Sequence, residues 1–253
     1  MLPYIEIFNA KVPSFNLLIG VGAVTGILLF YRIAENKISE SDADNVILLL
    51  VVSVLAGFIS GMLFDKIVHF KSISEFRQNL FNYTGITFIG GFSGGLITFS
   101  VIYKQVFKSY RHFFMHLDIM APPFSLAQGI GRLGCLAGGC CFGKPSVIGF
   151  KYPVFSEAYR LYGNVRIFPV PLIESLFLVL LSFILLKVIK KNNALYYIFF
   201  YCLFRFFMEI LRGDNRGRYL LNLFSPSQVI CIILMFAAVI CVIISRNIKH
   251  NLY

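Results

Sequence analysis

Residues 45–64 read Asn45-Val46-Ile47-Leu48-Leu49-Leu50-Val51-Val52-Ser53-Val54-Leu55-Ala56-Gly57-Phe58-Ile59-Ser60-Gly61-Met62-Leu63-Phe64, with no charge between Asp44 and Asp65. A bilayer crossing needs about 20 consecutive apolar residues. In lipid every backbone polar group must be satisfied within the segment, so such a run is a helix. Working outward, runs of the same kind lie at 14–32, 84–103, 113–130, 168–186, 194–211 and 226–245. The 113–130 run carries His116, Asp118, Pro122, Pro123 and Gln128, and reads as a broken or cavity-lining helix. The expected fold is an all-α integral membrane protein, one polytopic domain over 1–253 with about seven transmembrane helices.

Composition agrees. Of 253 residues, 58% are hydrophobic and 14% charged, whereas soluble domains run near 45–50% apolar and 25% charged. The net charge of +11 points to anionic lipid and to the bias of basic residues toward cytoplasmic loops, not to nucleic acid. Met1-Leu2-Pro3-Tyr4-Ile5-Glu6 has no basic region leading into an apolar core, so no cleaved signal peptide is expected. Trp is absent, which leaves the 13 Tyr for any interfacial belt.

The linkers set an expected topology. Segments 33–44 and 65–80, the latter with His69, Lys71, Glu75 and Arg77, read as solvated loops; 143–167 is the longest extramembrane loop. Lys104, Lys108 and Arg111, then Lys187, Lys190 and Lys191, then Arg246 and Lys249 form basic clusters without acidic neighbours. Placing all three in the cytoplasm puts the N-terminus outside and the C-terminus inside.

One segment between spans carries chemistry. Gly131-Arg132-Leu133-Gly134-Cys135-Leu136-Ala137-Gly138-Gly139-Cys140-Cys141-Phe142-Gly143 holds one arginine, three cysteines and five glycines. Arg132 is a fork of donors suited to phosphate, or else a snorkelling or structurally paired side chain. Arg205 and Glu209 share a helix face at i, i+4, as an intramembrane ion pair or as the lining of a polar cavity that Arg212, Asp214, Arg216 and Arg218 deepen. Gly90-Gly91 and Ser93-Gly94-Gly95-Leu96 suit close helix packing or a functional contact. Glu174 reads as a charge favoured at a helix start.

Cys202, Cys231 and Cys241 sit in apolar runs as small hydrophobes. Cys135, Cys140 and Cys141 fit close packing, a disulfide, a reactive thiolate beside Arg132 or a metal site, but C-x4-C-C without a neighbouring His is a poor zinc pattern. No metal and no cofactor is expected. His116 reads as an acid/base candidate or a locally bonded ring, and no nucleotide loop, HExxH or GxSxG motif is present.

In order along the chain, these pieces resemble the prolipoprotein diacylglyceryl transferase family. Ser93-Gly94-Gly95-Leu96 falls where the family has His-Gly-Gly-Leu. Asp118-Ile119-Met120-Ala121-Pro122 leads into Gly131-Arg132-Leu133-Gly134 at the family's Gly-Arg motif. Pro169 to Glu174 resembles His-Pro-Ser-Gln-Leu-Tyr-Glu, Arg205 to Glu209 its Arg-x-x-x-Glu, and Ser227-Gln228 its Gly-Gln start of the last span. The resemblance implies a lipid-headgroup cavity and transfer of diacylglycerol from phosphatidylglycerol to the lipobox cysteine of a prolipoprotein, in the bacterial inner membrane. A monomer is expected, because one chain can assemble the site.

Carried over residue by residue, it implies Arg205, Glu209, Cys140 and Ser93 as catalytic and Arg132, Gly94, Gly95 and Cys135 as lipid-binding. The chain departs from the family at four places: Ser93 and Phe168 replace histidines, Cys135 an asparagine and Cys140 a glutamate. Two further readings therefore stand beside the first. One is a lipid-group transferase with another acceptor that uses Cys135 and Cys140; the other is a phospholipid-binding membrane protein without catalysis.

Overall fold

The computed structural model describes residues 3–7, 10–68, 88–214 and 224–250. His69, Lys71, Glu75, Arg77, Arg216, Arg218 and the first residues of the 84–103 run lie outside that set. Each apolar run coincides with a helix: α1 Ser14–Ala34, α2 Glu40–Val68, α3 Phe88–Phe107, α4 Phe113–Gly138, then α6 Val170–Lys187, α7 Asn193–Leu211 and α8 Pro226–His250. Among the described residues, four stretches, Ser14–Ala34, Glu40–Phe64, Val170–Lys187 and Asn193–Leu211, are long and apolar enough to cross a membrane, and the apolar part of α8, Pro226–Val242, is shorter. The chain is a multi-pass helical membrane protein.

Two expectations change. The stretch 143–167 is not a plain loop: β3 Pro145–Lys151 pairs antiparallel with β4 Arg166–Ile167, and the short helix α5 Glu157–Tyr162 lies between them. Phe142, Tyr152, Ala158 and Ile167 bury a small core beneath it. At the other end, β1 Tyr4–Ile7 and β2 Ala10–Pro13 form a hairpin leading into α1.

The second change concerns α4, which runs unbroken through Pro122 and Pro123. Each proline removes one helix hydrogen bond, to the carbonyl four residues earlier, at Asp118 and Ile119. Here Ser182 Oγ donates to the Pro122 carbonyl at 2.8 Å, and Ser125 Oγ donates to the Leu178 carbonyl at 2.8 Å. Both bonds staple α4 to α6.

The chain forms two compact units, Met1–Ile33 with Leu117–Tyr253, and Ala34–His116. Within the second, α2 and α3 approach through glycines: a Cβ on Gly57 would stand 2.8 Å from the Gly91 carbonyl oxygen. Ser60 Oγ donates across this contact to the Gly90 carbonyl at 2.8 Å.

Within the first unit, α1 meets α4 in the same manner, a Cβ on Gly22 coming 2.7 Å from the Ala127 carbonyl. Asp118 caps α7 from another helix, accepting from the Asn192 N–H at 2.8 Å and the Ala194 N–H at 2.9 Å. The first turn of a helix has unsatisfied N–H groups, and a carboxylate there answers both them and the dipole. For α8, Ser225 and Gln228 form a reciprocal capping box, with the Ser225 N–H on Gln228 Oε1 at 3.0 Å and the Gln228 N–H on Ser225 Oγ at 3.2 Å.

Candidate active site

Three helix ends meet in the first unit: the C-terminal part of α4, the start of α6 and the C-terminal part of α7. They bring together Arg132, Glu174, Arg205 and Glu209. Glu174 lies between the two arginines, Oε2 at 3.0 Å from Arg132 Nε and Oε1 at 2.8 Å from Arg205 Nη1. Arg205 Nη2 reaches Glu209 Oε2 at 2.6 Å. The result is a row of alternating charge, plus, minus, plus, minus, drawn from three helices.

Burial explains the alternation. Glu174 is 1% exposed and Arg205 5%, and an ionised group so placed is tolerated only when paired. Arg132, with 18% of its side chain exposed, is the most open of the row. Below it, Tyr197 Oη donates to Gln128 Oε1 at 2.6 Å, and the rings of Tyr197 and Tyr201 stack with centroids 5.8 Å apart. Positions 197, 201, 205 and 209 recur every fourth residue, so one face of α7 carries the whole polar column.

The sequence reading missed Glu174 as a site residue because its partners lie on other helices. Tyr197 and Tyr201 were also missed, and the i, i+4 recurrence above Arg205 was the signal available.

The turn after α4 closes the site. Gly139 takes φ 73, its N–H bonded to the Leu136 carbonyl at 3.2 Å and the Cys140 N–H to the Cys135 carbonyl at 3.1 Å. This pair of hydrogen bonds is a Schellman cap, and it returns Cys140 and Cys141 toward Cys135. Next, the chain is tied to the end of α7 by the Lys144 N–H on the Leu211 carbonyl at 2.9 Å and the Gly213 N–H on the Phe142 carbonyl at 3.0 Å. Gly143 allows this approach, since a Cβ there would lie 2.6 Å from the Phe168 carbonyl.

Arg212, buried at this junction, holds Asp214 through Nε–Oδ1 at 2.8 Å and Nη2–Oδ2 at 2.6 Å. Burial pulls Arg212 down, but Asp214 and the Cys141 sulfur outweigh it and hold the guanidinium above its ordinary range. Hydrogen bonds from Cys135 and Cys140, helped by Arg212, hold the Cys141 thiol below the usual thiol range. Cys140, facing the other two sulfurs, is pushed up.

The remaining expected residues are placed elsewhere. Ser93, Gly94 and Gly95 belong to the Ala34–His116 unit, where Ser93 Oγ donates to the Gly90 carbonyl of its own helix at 3.2 Å. A Cβ on Gly94 would run into Ser60. His116 is buried in that unit with Nδ1 3.0 Å from Tyr103 Oη, among the rings of Phe107 and Tyr103. A cavity of about 360 Å³ there, lined by residues including Lys37, Asp42 and His116, touches none of the four charged residues above.

The chain is similar to known proteins over most of its length. It is 30% identical over 236 residues to a phosphatidylglycerol–prolipoprotein diacylglyceryl transferase of Clostridium tetani, covering 89% of this chain and 90% of that one. It is 29% identical to transferase 2 of that name from Clostridium perfringens, over 93% and 91% of the two chains. The similar protein of Clostridium botulinum strain Loch Maree shares 32% over 82% and 83%. A model of the family described as prolipoprotein diacylglyceryl transferase matches residues 3–244, which takes in all four members of the charged row. On that match and those relatives, the chain belongs to the prolipoprotein diacylglyceryl transferase family.

Proposed function

We propose that this protein transfers diacylglycerol from phosphatidylglycerol to the cysteine thiol of a prolipoprotein lipobox, with Arg132 and Arg205 binding the lipid phosphate. The observation that carries the reading is the Arg132–Glu174–Arg205–Glu209 row, two guanidiniums held at fixed spacing by two carboxylates. A guanidinium presents parallel N–H donors that match phosphate oxygens. Glu174 and Glu209 act through the arginines as positioning residues.

The bond changes balance without a cofactor. A sulfur–carbon bond forms at the phosphate-bearing carbon of the diacylglycerol, and the bond from that carbon to the phosphate oxygen breaks, the oxygen leaving with phosphorus as glycerol phosphate. The diester carries one negative charge; the departing glycerol phosphate is a monoester with a second pKa of about 6, so it carries close to two. Two fixed cations therefore meet more charge as the bond breaks than before it, which is differential stabilisation of the transition state. They also favour ionisation of the incoming thiol, whose proton leaves to water. In this reading Cys135 and Cys140 face each other and Cys141, not the lipid. Ser93, Gly94 and Gly95 enter it only through their family positions.

The proposal takes the chain as one polytopic monomer of seven crossings with the N-terminus outside. Its test is transfer of labelled diacylglycerol from phosphatidylglycerol to a lipobox peptide by the purified protein. Turnover that is lost in both Arg132→Ala and Arg205→Ala supports it. Turnover unchanged in both variants would refute the phosphate assignment, and tight lipid binding without turnover would favour the non-catalytic reading.

A further inference from the structure

The transfer reaction above leaves three thiols unused, and the backbone has gone out of its way to assemble them. The Sγ atoms of Cys135, Cys140 and Cys141 all lie within 4.8 Å of one another. Adjacent side chains in extended backbone point to opposite sides. Cys140 and Cys141 escape this because Cys141 adopts φ 57, a left-handed conformation that a residue other than glycine, asparagine or aspartate rarely takes. Such strain persists where the surroundings demand it. The Schellman cap at Gly139 does the rest, setting Cys140 Sγ 3.6 Å from the Cys135 carbonyl oxygen.

A second observation points at the same spot. Tyr152 is 3% exposed and lies 3.9 Å from where a Cβ on Gly139 would stand. It is within electrostatic reach of Cys140 and Cys141, and its Oη has no hydrogen-bond partner among the described residues. A buried hydroxyl without a partner marks a missing polar neighbour. Arg132 and Arg212 stand within electrostatic reach of Cys141 and offset negative charge there.

We propose that Cys135, Cys140 and Cys141 form a thiolate site for one soft d10 cation, Cu⁺ or Zn²⁺, at the junction of α4 and the β3–β4 hairpin. Metal–thiolate bonds of about 2.3 Å set three sulfurs about 4 Å apart, so the cluster reaches metal geometry by closing under about 1 Å. Thiolates select these ions over Mg²⁺ or Ca²⁺. Three sulfurs alone suit trigonal Cu⁺; Zn²⁺ would add a fourth, oxygen ligand, from Tyr152 or from solvent. Binding releases the thiol protons to solvent and needs no oxidant.

The test uses reduced, full-length protein in detergent, titrated with Zn²⁺ and, anaerobically, with Cu⁺, each against a chromophoric chelator. The expected result is one ion per chain, with X-ray absorption showing three sulfurs at about 2.3 Å; an added oxygen identifies Zn²⁺. Cys141→Gly accepts the left-handed φ, so it folds, yet loses more affinity than the roughly 100-fold typical of outer-shell changes. Binding is retained in the Cys202→Ser, Cys231→Ser, Cys241→Ser triple variant, which removes the adjoining Cys202 and Cys231 thiols of α7 and α8. Stoichiometric binding that survives loss of Cys135, Cys140 and Cys141, or folded protein that binds neither ion, would overturn the proposal.

Discussion

With one carboxylate oxygen on Arg132 at 3.0 Å and the other on Arg205 at 2.8 Å, Glu174 sets the spacing of both cations. Replacing it by glutamine leaves one oxygen and turns an NH2 group toward a guanidinium that also only donates. Breaking a buried pair by removing one partner costs about 3–5 kcal/mol, because the other charge stays buried. Glu174→Gln is therefore expected to lower thermal stability and to reduce transfer by about 100-fold or more, measured as kcat/KM for phosphatidylglycerol beside a melting curve. Arg132→Lys separates charge from shape. It keeps the positive charge and loses the planar fork, so the expected change is about a tenfold weaker apparent affinity for the lipid. An unchanged KM would remove Arg132 from the phosphate site.

At the level of elements, the helices were readable because lipid leaves a long apolar segment no other way to satisfy its backbone. The start of α7 was read to within one residue, at 194 against Asn193, but its cap was not, since Asp118 reaches it from α4, far away in sequence. The two prolines of α4 signalled a break, yet the helix runs through them, with Ser182 and Ser125 bonding it to α6. The fold of 143–167 was equally hidden: β4 is only Arg166–Ile167, too short for a period to show.

In the site, Arg132 was visible in a glycine- and cysteine-rich segment between spans, and Arg205 and Glu209 as charges inside an apolar run, whereas Glu174 looked like an ordinary helix-start acid until its partners were located. Two predictions belong here. Asp118→Ala uncaps α7 and is expected to cost about 1 kcal/mol, read as earlier thermal unfolding. Gly57→Ala inserts a Cβ 2.8 Å from the Gly91 carbonyl, forces α2 and α3 apart, and is expected to destabilise by about 1–3 kcal/mol. If Gly57→Ala unfolds like the parent, the close α2–α3 approach is not a source of stability.

For the whole molecule, the charged row and the basic loops argue for one orientation. Arg132, Glu174 and Arg205 come from the C-terminal part of α4, the start of α6 and the C-terminal part of α7, and their ion pairs put these three ends together. The opposite ends of the same helices adjoin Lys108 and Arg111, before α4, and Lys187, Lys190 and Lys191, between α6 and α7. Short loops rich in lysine and arginine stay cytoplasmic, and in the proposed orientation with the N-terminus outside the row then lies at the outer face. An exported prolipoprotein presents its thiol on that side, so the orientation that loop charge favours is also the one the proposed reaction requires. Reporter fusions after residue 190 are expected to report the cytoplasm, and fusions within 153–156 the outside. The reverse pattern would place the arginines on the face away from an exported substrate, and the proposed acceptor would then have to be abandoned even if phosphatidylglycerol remained the donor.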